Sequence, residues 1–158
     1  MSDARFEDGA EGPLHLKART DDDLAVIAAL VQDAVLPITE IRWQPQKRRL
    51  ALLINRFRWE DRAAAEARGR PYERVQALLV IDEAGAVASQ GIDRAEVDTV
   101  LSLLDIGFAA GPDGTGHVTL VLAGDGAIRI AVEALEVTLK DVTRPYVAPS
   151  RKAPSHRD

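Results

Sequence analysis

A chain of 158 residues, 46% hydrophobic and 28% charged, is long enough to bury a core without metals or cross-links. It has no cysteine, which excludes a disulfide framework, a thiolate nucleophile and a Cys-ligated metal. A net charge of −5 argues against a general nucleic-acid binder, but it is unevenly spread: −5 over residues 1–37, +5 over 38–74, −8 over 75–143 and +3 over 144–158.

Residues 1–13 are polar and Gly-rich with nothing periodic to bury, so they are expected to be disordered. The acidic start lacks the basic flank and apolar core of a secretory signal. The longest apolar run, Leu24 to Val31, falls far below the roughly 18 residues of a membrane span. No membrane span and a cytoplasmic location are therefore expected. Thr20-Asp21-Asp22-Asp23 reads as a helix start, with Thr20 as cap and Asp23 completing a capping box. Leu24, Ile27, Ala28, Val31 and Val35 continue at helical spacing to a stop at Pro37. The triple aspartate lacks the spacing and distal Glu of a calcium loop, so capping explains it better than metal binding.

From Ile38 the period changes to two. Ile38 to Gln44 and Arg49 to Trp59 read as strands joined by a turn at Pro45-Gln46-Lys47. Leu50 to Ile54 is apolar on both faces, as in a strand covered on both sides. Beyond it, parity places Asn55, Phe57 and Trp59 on one face and Arg56 and Arg58 on the other. The stretch from Asp61 to a Gly69 cap has room for one or two helical turns, marginal alone, and reads as a mobile connection. Three hairpin-like signals come next: Tyr72 to Asp82 with Ala86 to Ile92, Thr99 to Ala109 with His117 to Ala123, and Asp125-Gly126 leading into Ala127 to Val132. Val132, Leu135, Leu139 and Val142 predict a C-terminal amphipathic helix from about Ala131 to Asp141, although Leu135, Val137 and Leu139 also alternate as a strand would. Residues 145–158 read as a flexible basic tail after a single globular domain at 14–144.

The expected fold is α+β: an N-terminal helix, a bent antiparallel sheet of six to seven strands and a C-terminal helix. By element order this is similar to a pleckstrin-homology-like barrel.

His15, His117 and His156 share no metal-ligand spacing, and "GFAAGPDGTG" has neither the Gly-Lys-Ser/Thr end nor the following helix of a phosphate loop. There is no Gly-x-Ser-x-Gly elbow and no evident carboxylate pair, so no catalytic residue, metal ligand or cofactor is assigned. A binding or adaptor role is favoured over an enzyme with a loop-assembled site. Arg42, Lys47, Arg48 and Arg49 gather around the turn, and Arg56 and Arg58 follow on the second strand, with Trp43, Phe57 and Trp59 as possible stacking faces. An acidic protein partner is the first expectation for this hairpin, and nucleic acid or another anion the second. Against both stands pairing of these arginines with the chain's own acidic segments, which would neutralise the patch.

The blocks "DLAVIAALVQDAV", "KRRLALLINRFRWE", "ASQGI", "LSLLDIGF" and "GAIRIAVEALEVTLKDV" resemble a family of short alphaproteobacterial proteins, domain-of-unknown-function family twenty-nine forty-eight. The resemblance covers about residues 14–144, and Gln32-Asp33-Ala34 and Asn55-Arg56-Phe57 are its most specific pieces. It implies a single-domain cytoplasmic bacterial protein and assigns no activity.

Overall fold

A computed structural model describes residues 2–3, 12–148 and 153–154. The expected disorder before residue 14 and flexibility beyond residue 145 concern segments that lie largely outside the described residues. No helix among these residues is long and apolar enough to cross a membrane.

Twelve strands form one sheet: β1 (Ser2–Asp3), β2 (His15–Ala18), β3 (Ala34–Pro37), β4 (Ile41–Gln44), β5 (Arg49–Phe57), β6 (Glu73–Ile81), β7 (Ala84–Gln90), β8 (Val100–Ala110), β9 (Gly116–Leu122), β10 (Gly126–Val132), β11 (Val137–Asp141) and β12 (Tyr146–Val147). The order runs β1-β2-β11-β6-β5-β3-β8-β9-β10-β7, with β4 added to β5 and β12 to β6. Every pairing is antiparallel except that of β1 with β2. Two short helices, α1 (Asp21–Leu30) and α2 (Arg62–Arg68), complete the architecture.

This corrects the expected fold. Among the described residues the sheet has twelve strands, not six or seven, and residues 131–141 are strand and turn rather than a closing helix, so the pleckstrin-homology-like arrangement does not hold. Residues 137–141 are strand β11, which lies between β2 (Leu139 opposite Leu16) and β6 (Leu139 opposite Leu79). Ladders on both sides satisfy its backbone, and the two-residue period buries Val137, Leu139 and Asp141 on one face. The helical spacing read from Val132 to Val142 was a by-product of two strands in succession, β10 and β11, separated by a turn.

Helix α1 starts as expected, with Asp23 N donating to Thr20 Oγ1 at 3.2 Å. It ends earlier, at Leu30. Asp33 takes a left-handed conformation (φ +63°) and its N–H bonds Leu103 O at 2.8 Å, turning the chain into β3. There Ala34 and Leu36 are buried, paired with Leu103 and Leu101 of β8. Non-local pairing has overridden the helical continuation to Val35.

The β8–β9–β10 meander forms as the turn residues predict. The first hairpin signal does not: β6 and β7 are neighbours in sequence but do not pair. Glu83, left-handed at φ +58°, sends the chain out of β6, and β7 pairs with β10 instead. Ala84 N then bonds Arg48 O at 3.0 Å, which brings the start of β7 beside the β4–β5 turn. The strands from β5 round to β7 thus form a split barrel, open along the seam between β4 and β7.

One continuous apolar core fills the concave side, including Leu16, Leu52, Leu79, Leu120, Ile130 and Leu139, with α1 contributing Leu24 and Ile27. Packing is tight where β8 crosses β9. A Cβ on Gly116 would stand 2.4 Å from Ala109 O and 2.6 Å from the Phe108 ring. Gly116→Ala is therefore expected to destabilise the fold by about 1–3 kcal/mol, read from the midpoint of urea unfolding.

Candidate functional site

The hairpin residues are brought together only in part. Strand β5 buries alternate residues Leu50, Leu52, Ile54 and Arg56, so parity puts Arg56 in line with the core rather than on a solvent face. Its side chain is 0% exposed. Glu60 accepts two bonds from it, at 2.8 and 2.7 Å, and Asp141 accepts two, at 3.0 and 2.9 Å. Asp141 also accepts from Leu14 N at 2.9 Å, which ties β11 to the segment entering β2. Burial works against the charge of the Arg56 guanidinium, but the hydrogen bonds and charges of Glu60 and Asp141 outweigh it and push its pKa up.

Arg58, buried beside this pair, bonds Glu73 and lies 3.7 Å from Asp61. Arg70 completes the group with two bonds of 3.1 Å to Asp61. The apolar interior thus ends in a compact ionic cluster. The adjoining layer is aromatic: Phe57 is fully buried with its ring centroid 4.7 Å from that of Trp59, whose Nε1 donates to Gln32 O at 2.9 Å. Tyr72 donates its phenolic hydrogen to Glu66, which holds that carboxyl below its ordinary range and raises the phenol.

The turn residues divide differently. Arg48 pairs with Glu133 at 3.0 Å and Arg49 with Asp82 at 2.8 Å, so the acidic second half of the chain meets both. Arg42 and Lys47 are exposed and have no ion-pair partner among the described residues. Trp43 is 36% exposed, on the wall of a groove rather than in the core.

That groove occupies the seam between β4 and β7. It has a volume of about 460 Å³, within the size range of ligand sites, and Ile41, Trp43, Leu50, Val87, Ile92 and Ile128 line it. Among the described residues, Arg94 is the only charged one that lines it. The β7 wall and the 91–99 loop were not singled out from the sequence. The available signal was the uncharged run "AGAVASQ" together with Val97 and Val100, which are exposed.

The two pieces most specific to the resembled family, Gln32-Asp33-Ala34 and Asn55-Arg56-Phe57, meet at the ionic end of the core: Val35 pairs with Asn55, and Gln32 accepts from Trp59. A family model, described as protein of unknown function (DUF2948), matches residues 14–156. The chain belongs to the DUF2948 family. No curated protein matches this DUF2948 chain. No solved structure matches it either.

Proposed function

We propose that this DUF2948 protein is a non-enzymatic binding module that holds an acidic protein partner at the β4–β7 seam. The observation that carries this reading is the pairing of an apolar groove, walled by the exposed Trp43, with two cations, Arg42 and Lys47, that have no counter-charge among the described residues. An exposed aromatic beside unpaired positive charge is the composition of an interface centre with a steering rim. Arg48 and Arg49 add positive potential around the turn, screened by Glu133 and Asp82. Arg56 and Arg58 support the hairpin from within, because their charge is met inside the fold.

The test uses the full chain as bait in bacterial extract, with and without nuclease, against Arg42→Glu/Lys47→Glu and Trp43→Ala. Arg42 and Lys47 are exposed, so the melting curve of the double charge variant should match wild type, and that of Trp43→Ala, whose ring also packs on the groove wall, is recorded beside it to confirm that it folds. A protein recovered by wild type regardless of nuclease, and reduced about tenfold or more by each variant, is the expected outcome. Loss of the signal on nuclease treatment would favour nucleic acid instead, and recovery unchanged in both variants would remove the seam from consideration.

A further inference from the structure

We infer that the partner enters this seam as an added β-strand on β7, apolar on the face toward the groove and acidic on the other. The inference rests on the binding reading above and specifies how the contact is made.

Among the described residues, strand β7 pairs only with β10 and β4 only with β5, so the two edges that face each other across the groove are both open there. Proteins usually guard such edges with charge, proline or brevity. β7 has none of these: "AGAVASQ" is seven residues without a charge or a proline, and most of its side chains are exposed. At about 3.3 Å per residue it presents an edge about 23 Å long. The seam is pinned at one end by the Ala84 N to Arg48 O bond and at the other by Ile38 N to Thr99 O at 2.9 Å. Between those pins lies the groove.

Side-chain parity determines what an added strand must carry. Ile41 and Trp43 face the groove, so Arg42 between them points to the opposite face of the sheet. Ile128 faces the groove, so Arg129 next to it does the same on β10, where it pairs with Ala88 of β7. Both arginines are exposed, and neither has an ion-pair partner among the described residues. The 91–99 loop brings Asp93, Glu96 and Asp98 as well as Arg94, so the positive field is strongest toward the Arg42 and Lys47 end. A strand lying in the seam would place alternate side chains against Trp43, Val87 and Ile128 and the intervening ones between Arg42 and Arg129. Charge complementarity selects carboxylates for that second face, and main-chain bonds to β7 would supply affinity, as in strand addition generally.

The test is a capped heptapeptide of alternating glutamate and valine, beginning and ending with glutamate, titrated into the intact protein. Two N-methylated versions carry the methyl on the valine or on the glutamate amides, leaving the side chains unchanged. The unmodified peptide should bind, should slow amide exchange across Ala86–Ser89, and should lose about tenfold or more in affinity in at least one N-methylated version. If it binds and weakens in Trp43→Ala and Arg42→Glu/Lys47→Glu while both N-methylated peptides bind equally well, strand addition is overturned and the binding reading stands. If it binds those variants as well as wild type, the binding reading itself fails. No binding of the unmodified peptide overturns strand addition. So does a peptide-free dimer with Ala86–Ser89 already protected, which would give the edge to a second copy of the chain.

Discussion

Replacing Arg56 by methionine should lower the stability of the fold by about 3–5 kcal/mol, seen as a large fall in the urea midpoint with little change in slope. The effect is large because of what remains after the change. Glu60 and Asp141 have side chains 0% and 3% exposed; Asp141 would lose the cation that offsets its desolvation, and Glu60 would keep, among the described residues, only Arg58, 3.8 Å away. Removing the charge of all three should recover most of the loss. Arg56→Met/Glu60→Gln/Asp141→Asn leaves no buried ion near Asp141 and keeps an acceptor for Leu14 N. A single variant that loses less than about 1 kcal/mol would mean that the cluster is solvated in solution and not a closed end of the core.

Leu139→Ala is expected to cost about 2–5 kcal/mol by urea unfolding. Leu139 is fully buried at the centre of β11, opposite Leu16 on one side and Leu79 on the other, so three strands lose packing around one cavity. Val121 and Val100, 39% and 64% exposed on β9 and β8, provide the contrast: truncation of either to alanine should move stability by about 0.5 kcal/mol or less. Equal losses at all three positions would contradict the placement of β11 between β2 and β6.

The parts of the fold legible in the sequence are those fixed by near neighbours. Thr20 capping α1, Pro45 turning β4 into β5, Gly69 ending α2 at φ +64°, and the glycines joining β8, β9 and β10 each act within a few residues. What was not legible depended on distant partners. Residues 34–37 have a helical continuation in sequence, and pairing with β8, more than sixty residues later, together with the Val35–Asn55 pair to β5, makes them a strand. Residues 84–90 follow β6 closely, yet their partner is β10. In 131–141 both periods are present, and the flanking ladders of β2 and β6 decide between them.

The site divides along the same line. Arg42, Lys47, Arg48 and Arg49 cluster at the turn because the turn is local. Parity does place Arg56 on the face opposite Asn55, but that face continues from Leu50, Leu52 and Ile54 and carries the guanidinium inward, away from the binding role expected of it. That orientation is tolerable only with Glu60 four residues on and Asp141 from the far end of the chain, and the second of these has no local signature. The groove was hidden for a similar reason: Trp43 on one wall and Val87 on the other meet through a barrel closure that no short window of sequence contains.

The placement of β11 between β2 and β6 also governs the order in which the molecule can be built. β2 is made well before its antiparallel partner, residues 137–140, and Leu14 N waits for the carboxylate of Asp141. Until synthesis reaches that point, β2 has no ladder there and Arg56 has only one of its two counter-ions. Emergence of β11 therefore acts as a closing step, joining residues 14–18 to residues 137–141 and completing the charged seal of the core together. Contacts spanning so much of the sequence place this fold among the slow formers, with an incomplete nascent chain that exposes β6 as an unfinished edge.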